Sequence, residues 1–226
     1  MKTLKGIDKM GTLMSVDLHT HAISHKYFFT GYTPATIDLW DKKNVEEHLR
    51  SNFTRGLGAL AVTDHDMLAT GLYARDLAAR KGFALKVIPG MECQLIYYGK
   101  YTKELIHILA VGIEEPPAYT KDTPVEYLAD RVRKLGGFTI LAHPVVYSEA
   151  ALARFIPHVD GIEEFNGARH ARKNDGIYKD APLHDLTHWL TKGSDYHYKD
   201  MFLLPDVSNL SRFYVDEQVV SKLAGY

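Results

Sequence analysis

In Ser15-Val16-Asp17-Leu18-His19-Thr20-His21, apolar or β-branched residues alternate with polar ones, which is the pattern of a strand. Side chains two apart on a strand share a face, so His19 and His21 project together and their imidazoles can converge on one ion. Asp195 and His197, in Gly193-Ser194-Asp195-Tyr196-His197, repeat that spacing near the other end of the chain.

Working outward, short apolar runs alternate with helical patterns. A helix is predicted over Asn44–Arg55, with Asn44 as its N-cap. Ala59–Thr63 reads as a buried strand, followed by a helix from about Thr70 to Arg80 that Gly82 closes. Leu85–Ile88 is a strand running into Pro89-Gly90, and Glu92–Tyr98 and Leu105–Ile113 are two more around a turn. Thr123-Pro124 opens a helix with Pro at its first position, and Gly136-Gly137 ends it. Phe138–Ala142 and Gly161–Phe165 continue the alternation. Repeated strand–helix units predict an α/β protein with a parallel sheet. A barrel or near-barrel suits the number of units, and a doubly wound sheet fits the same pattern. Residues 22–43, rich in aromatics and turn formers, read as a long loop of the kind that tends to be functional.

Each predicted strand meets a group able to bind metal: His19 and His21, then Asp64-His65-Asp66, Glu92, His107, His143, and finally Asp195 and His197. The carboxyl ends of parallel strands are where α/β active sites form. Imidazole with carboxylate suits zinc, manganese or iron rather than calcium. Asp17 and Asp64 stand beside the ligands, either orienting imidazoles or capping strand ends. His48, His158, His184 and His188 fall in helices or connections and read as solvated or capping side chains.

The 226 residues suffice for one sizeable core, and residues 1–226 are taken as a single domain. With 46% hydrophobic and 24% charged residues the composition is that of a soluble globular protein, and a net charge of -1 argues against a nucleic-acid or acidic-membrane surface. The single cysteine, Cys93, excludes an internal disulfide. No apolar stretch is long enough for a membrane span or a secretory signal, so a cytoplasmic protein is expected.

Taken in order, Asp17–His21, Thr63–Asp66, Pro89–Cys93, His107–Ile113, Leu141–Pro144 and Gly193–His197 resemble the motifs of the PHP (polymerase and histidinol phosphatase) family of metal-dependent phosphoesterases. The resemblance implies a distorted (β/α)7 barrel with a trinuclear metal site. It implies that His19, His21, Glu92 and Asp195 share one metal, that Glu92 bridges to a second held by His107 and His143, and that His65 and His197 hold a third. Lys26 stands where a further ligand is expected, and the neighbouring His25 is expected to replace it on the third metal. The alternative is a two-metal enzyme in which Lys26 binds phosphate. Glu92 and Asp195 are the residues on which catalysis would depend. Gly161–Asp175 resembles a segment that supplies an asparagine and an arginine near the substrate, here Asn166 and Arg169, and Arg169 and His170 are the candidate contacts for substrate phosphate. Only 35 residues separate His107 from His143, too few for a large inserted domain.

The expected activity is hydrolysis of a small phosphomonoester or nucleotide phosphate by a metal-bound hydroxide, with two or three divalent ions (Zn, Mn or Fe) as cofactors. The competing expectations are a metallohydrolase acting on an amide or lactone, and a non-catalytic metal-binding module.

Overall fold

The structure is a computed structural model that describes residues 13–23, 37–170, 189–197 and 213–225. In chain order the elements are β1 (Leu13–His21), α1 (Leu39–Thr54), β2 (Ala59–Val62), α2 (Ala69–Lys81), β3 (Lys86–Tyr98), β4 (Lys103–Val111), α3 (Val125–Lys134), β5 (Phe138–Leu141), α4 (Glu149–Phe155), β6 (Gly161–Asn166), α5 (Gly167–His170), β7 (Trp189–Gly193), β8 (Tyr196–His197), β9 (Phe213–Asp216) and α6 (Glu217–Ala224). Among the described residues the strands form one nine-stranded sheet in the order β7-β6-β5-β4-β3-β2-β1-β8, with β9 on β1.

β1, β2, β3, β5, β6, β7 and β8 share one direction, while β4 and β9 run against it. β7 and β8, at opposite ends of the sheet order, are separated in sequence only by Ser194 and Asp195. The sheet therefore curls until its ends nearly meet, and Asp195 N donates to His19 O at 2.8 Å. This mixed, curled sheet is compatible with a distorted barrel. Strict β/α alternation is broken by the antiparallel β3–β4 hairpin and by the β7–β8 step, which has no helix.

Local chemistry accounts for the elements. β2 (Ala-Leu-Ala-Val) is wholly buried because a parallel strand is covered on both faces. In α3, Val125, Leu128, Ala129 and Val132 follow the i, i+3, i+4, i+7 spacing of a buried helical stripe. α2 ends at Gly82, whose left-handed φ of 66° lets Phe83 N reach Ala78 O at 3.1 Å.

Several predicted boundaries move. α1 starts at Leu39 rather than Asn44, because Asp38 accepts from Asp41 N at 2.8 Å and serves as the cap. Asn44 is buried inside the helix, and the predicted long loop is therefore helical from Leu39 onward. Pro124 occupies the N-cap of α3 rather than its first turn. Pro89-Gly90 does not divide two strands. β3 runs through it, pairing with β2 up to Pro89 and with β4 from Gly90, so the proline sits where the ladder changes partner.

Among the described residues, three apolar clusters hold the fold. One lies between β2 and helices α1 and α2, around Leu49, Leu60, Val62, Leu77 and Val87. A second packs α3 and α4 on the hairpin and β5, around Ile106, Ile108, Leu128, Val132 and Leu141. The third fills the inside of the curl. It holds Val16, Leu18, Ala59, Ala61, Ile88, Leu109, Val111 and Ile140, with Val220 and Ala224 of α6 packed against them.

Candidate metal centre

The inner face carries apolar residues toward the amino ends of the parallel strands and polar ones toward their carboxyl ends, and in the antiparallel β4 the order is reversed, with His107 ahead of Leu109 and Val111. Glu92 has the parity of Ile88 on β3, and His107 that of Leu109 and Val111 on β4, so both face the inside of the curl. β1 breaks parity. Its register against β2 shifts between Asp17 and Thr20, and this bulge lets Leu18 join the inner apolar cluster while His19 and His21 also turn inward. Thr20 instead faces α1, where its hydroxyl donates to Ala61 O at 2.7 Å and lies 3.1 Å from His48 Nε2.

Three turns complete the set. Asp66, His143 and Asp195, with φ of 51°, 31° and 50°, are the non-glycine residues of positive φ among those described. Such backbone is strained for L-residues and persists where the surroundings hold it. Asp195 is held by its N–H on His19 O, and His143 by its N–H on Glu163 Oε2 at 2.6 Å. Asp66 Oδ1 accepts from Gln94 N at 3.1 Å and from the Tyr119 hydroxyl.

Glu92 is fully buried at the centre. Its Oε1 lies 2.8 Å from His107 Nδ1, 3.3 Å from His143 Nε2 and 3.4 Å from His19 Nε2. Its Oε2 lies 2.9 Å from His65 Nδ1 and 3.3 Å from His21 Nε2. His19 Nε2, His21 Nε2 and Asp195 Oδ1 form a triangle with edges of 3.1, 3.5 and 3.4 Å. Ligand atoms ~2.0–2.1 Å from a tetrahedral zinc stand roughly 3.3 Å apart, so this triangle has the size of one face of a coordination shell. Two further groups could hold an ion, His65 with Glu92 and His107, and His21 with His65 and His197. In the latter the His21 ring stacks on His197 at 4.0 Å and on His65 at 4.6 Å.

The electrostatics show what holds these groups together. Burial opposes charge on His19, yet the carboxylates of Glu92, Asp195 and Glu163 hold its imidazolium well above the ordinary range. Burial likewise opposes charge on His21, and its contacts with Asp195 and Glu92 raise it to about 9. Burial pushes the Glu92 carboxyl up, but His107, His65 and His19 outweigh it and keep Glu92 well below the usual carboxylate range. Asp195 is depressed in the same way, chiefly by His19 and His21 against its burial. His65 is pushed down to about 4 by burial in spite of Glu92. Buried anions stay ionised here only with cationic partners, and divalent cations would replace the imidazolium protons.

His19, His21, His65, Glu92, His107, His143, Asp195 and His197 are thus brought together. His25 and Lys26 lie outside the described residues, as do His184 and His188. Arg169 and His170 belong to α5, which begins directly after Asn166, and their side chains are outside the description. Asn166 is fully buried, and its amide donates to Glu163 Oε2 at 2.9 Å and Asp195 Oδ2 at 3.3 Å, so its contacts are with the cluster itself. Asp17 caps backbone, accepting from Ser194 N at 2.9 Å and His19 N at 3.2 Å. Asp64 accepts from Ile23 N at 3.1 Å and stands 3.9 Å from His21 Nδ1, too far for a hydrogen bond. His48 is buried rather than solvated or capping, because α1 presses it against Thr20.

Two groups escaped the sequence. Glu163 accepts from His19 Nδ1 at 3.1 Å, and the Tyr147 hydroxyl accepts from His107 N at 2.9 Å and touches His143 Nδ1 at 3.2 Å. The adjacent acids Glu163-Glu164 inside a short strand were a signal for the first. Period-two alternation must turn one of them inward.

The fold and centre together define a curled mixed α/β sheet with an inner-face cluster able to hold divalent metal. No family model matches the chain and no curated protein matches it. An amidohydrolase structure from Chromobacterium violaceum, with bound sulfate and no metal, shares the fold. Its TM-score is 0.55 at 16% identity, over 88% of this chain and 97% of that one. A provisionally assigned metal-dependent phosphoesterase from Bifidobacterium adolescentis aligns at TM-score 0.48 and 16% identity, over 87% and 94%.

Proposed function

We propose that the protein is a metal-dependent phosphoesterase that hydrolyses a small phosphomonoester or nucleotide phosphate. The observation that carries the proposal is the convergence of six imidazoles and the Asp195 carboxylate around buried Glu92. The ordered motifs that resemble the PHP family supply the substrate class. Glu92 would span two ions, one with His19, His21 and Asp195 and one with His107 and His143, while His65 and His197, joined by His25, would serve a third. Zinc, manganese and iron suit this donor set. Divalent ions bound there lower the pKa of coordinated water and neutralise phosphoryl oxygens.

The chain's own residues do the rest. Glu92 and Asp195 remain ionised against their burial and so offer anionic oxygens without a prior deprotonation. Asn166 holds the second oxygen of Asp195, leaving Oδ1 turned to His19 and His21. His65, His107 and His197 are the most exposed imidazoles of the cluster, which supports an approach of solvent and substrate from their side. Arg169 and His170, at the carboxyl end of β6, are the proposed phosphate contacts. An amide or lactone substrate would use the same cluster, and the amidohydrolase that shares the fold favours that second reading.

The test is a phosphatase screen over phosphorylated metabolites with added zinc, manganese or iron. Phosphate release is expected, and chelator should abolish it. Glu92→Ala should lose bound metal and lower kcat/KM by more than the ~10–100-fold typical of groups that only support a ligand. No phosphate release, with turnover of an amide or lactone, overturns the substrate class.

A further inference from the structure

Glu163 of β6 meets His19 at Nδ1, the ring nitrogen other than the one beside Glu92. Glu163 is buried and meets three donors. Oε1 lies 3.1 Å from His19 Nδ1, and Oε2 accepts from His143 N at 2.6 Å and from Asn166 Nδ2 at 2.9 Å. The other ring nitrogen of His19, Nε2, is the one that faces Glu92, His21 and Asp195. Space for the contact comes from Gly193, where a Cβ would overlap both Glu163 Oε1 and the Cβ of His19. Asn166 has both an anchor on Glu163 and a reach to Asp195, so one brace touches His19, His143 and Asp195 together.

We infer that Glu163 is a positioning residue that sets the tautomer of His19, holding the ring proton on Nδ1 so that Nε2 presents its lone pair to the metal. This rests on the proposed metal-binding role of His19. The chemistry of the brace makes the carboxylate hard to replace. Oε2 is committed to two N–H donors, so an isosteric glutamine must keep its carbonyl oxygen there. Its amide N–H₂ then faces His19 Nδ1 and turns that nitrogen into an acceptor. A neutral imidazole bonded this way carries its proton on Nε2, where it blocks coordination. Glu163→Gln therefore does more than weaken a hydrogen bond, because it selects the wrong tautomer.

The test compares the full chain, its Glu163→Gln variant and its Asn166→Ala variant, each titrated with zinc against a chelator. Each is then examined by long-range ¹H–¹⁵N NMR of the histidine rings with zinc present. The wild-type protein should show His19 with Nδ1–H and a zinc-shifted Nε2. Glu163→Gln should lose that Nδ1–H signal and bind its tightest zinc roughly 10–100-fold more weakly. Asn166→Ala, which removes a neighbouring contact but keeps the His19 partner, should retain the Nδ1–H signal. Unchanged zinc affinity and an unchanged His19 signal in Glu163→Gln overturn the inference, and so does loss of the signal in Asn166→Ala, which would indicate general loosening. A wild-type protein that binds zinc yet releases no phosphate from any substrate sinks the proposed activity and leaves this comparison intact.

Discussion

His48 lies beneath the first strand, fully buried, with Nε2 3.1 Å from the Thr20 hydroxyl and its ring stacked near Tyr196. Burial lowers its pKa to about 3, so the folded protein holds it neutral where the unfolded chain, near 6.5, protonates it. Between those values the unfolded state binds the extra proton at this residue, so the contribution of His48 to stability rises with pH. The contribution is full above about pH 6.5 and is lost as pH falls toward 3, each unit weighing ~1.4 kcal/mol. His48→Gln should flatten the pH dependence of denaturant stability in that window, and parallel wild-type and variant curves would refute the assignment. At this scale the metal-capable side chains were visible as residue types, whereas the supports were not. Glu163 and Tyr147 act through contacts 144 and 40 residues away in sequence.

The β2–α2 element presents His65, and its placement depends on a close approach. At Gly71, in the first turn of α2, a Cβ would stand 2.9 Å from both Gly90 N and Val62 O. The helix therefore lies on the backbone of β2 and β3 with no room for a side chain. Gly71→Ala should cost about 1–3 kcal/mol by overpacking, of which the better helix propensity of alanine returns about 1 kcal/mol, leaving a net loss. The denaturant midpoint measures this, and a stabilised variant would refute the close packing. The helices α2 and α3 were legible because a stripe of apolar residues or a glycine stop marks them locally. The continuity of β3 through Pro89 was not, because it depends on β2 and β4 sharing that strand end to end.

For the molecule as a whole, ions that bind only the folded chain add stability by mass action, ~2.7 kcal/mol at a hundred times Kd. Zinc or manganese should therefore raise the melting temperature by several degrees, at ~2–4 °C per kcal/mol for a chain of this size, and chelator should reverse it. An unchanged melting temperature would count against a metal centre. Among the described residues no helix is long and apolar enough to cross a membrane.

By itself the sequence determined that strands and helices alternate through much of the chain, that histidines and acids recur on or beside the strands, and that His19 pairs with His21 and Asp195 with His197. Those are properties of neighbours in the chain, set by side-chain period and residue chemistry. Tertiary structure decided which nitrogen and oxygen atoms meet. The bulge in β1 turns Leu18 and His19 to one side against strict alternation, and it exists only because β1 shifts register against β2. The β7–β8 step closes the curl and delivers Asp195 to His19. Glu163, one of two adjacent acids in β6, becomes a partner of His19 only because Gly193 leaves a gap between strands far apart in sequence. Contacts of this kind depend on the packing of whole elements, which no local pattern of residues encodes.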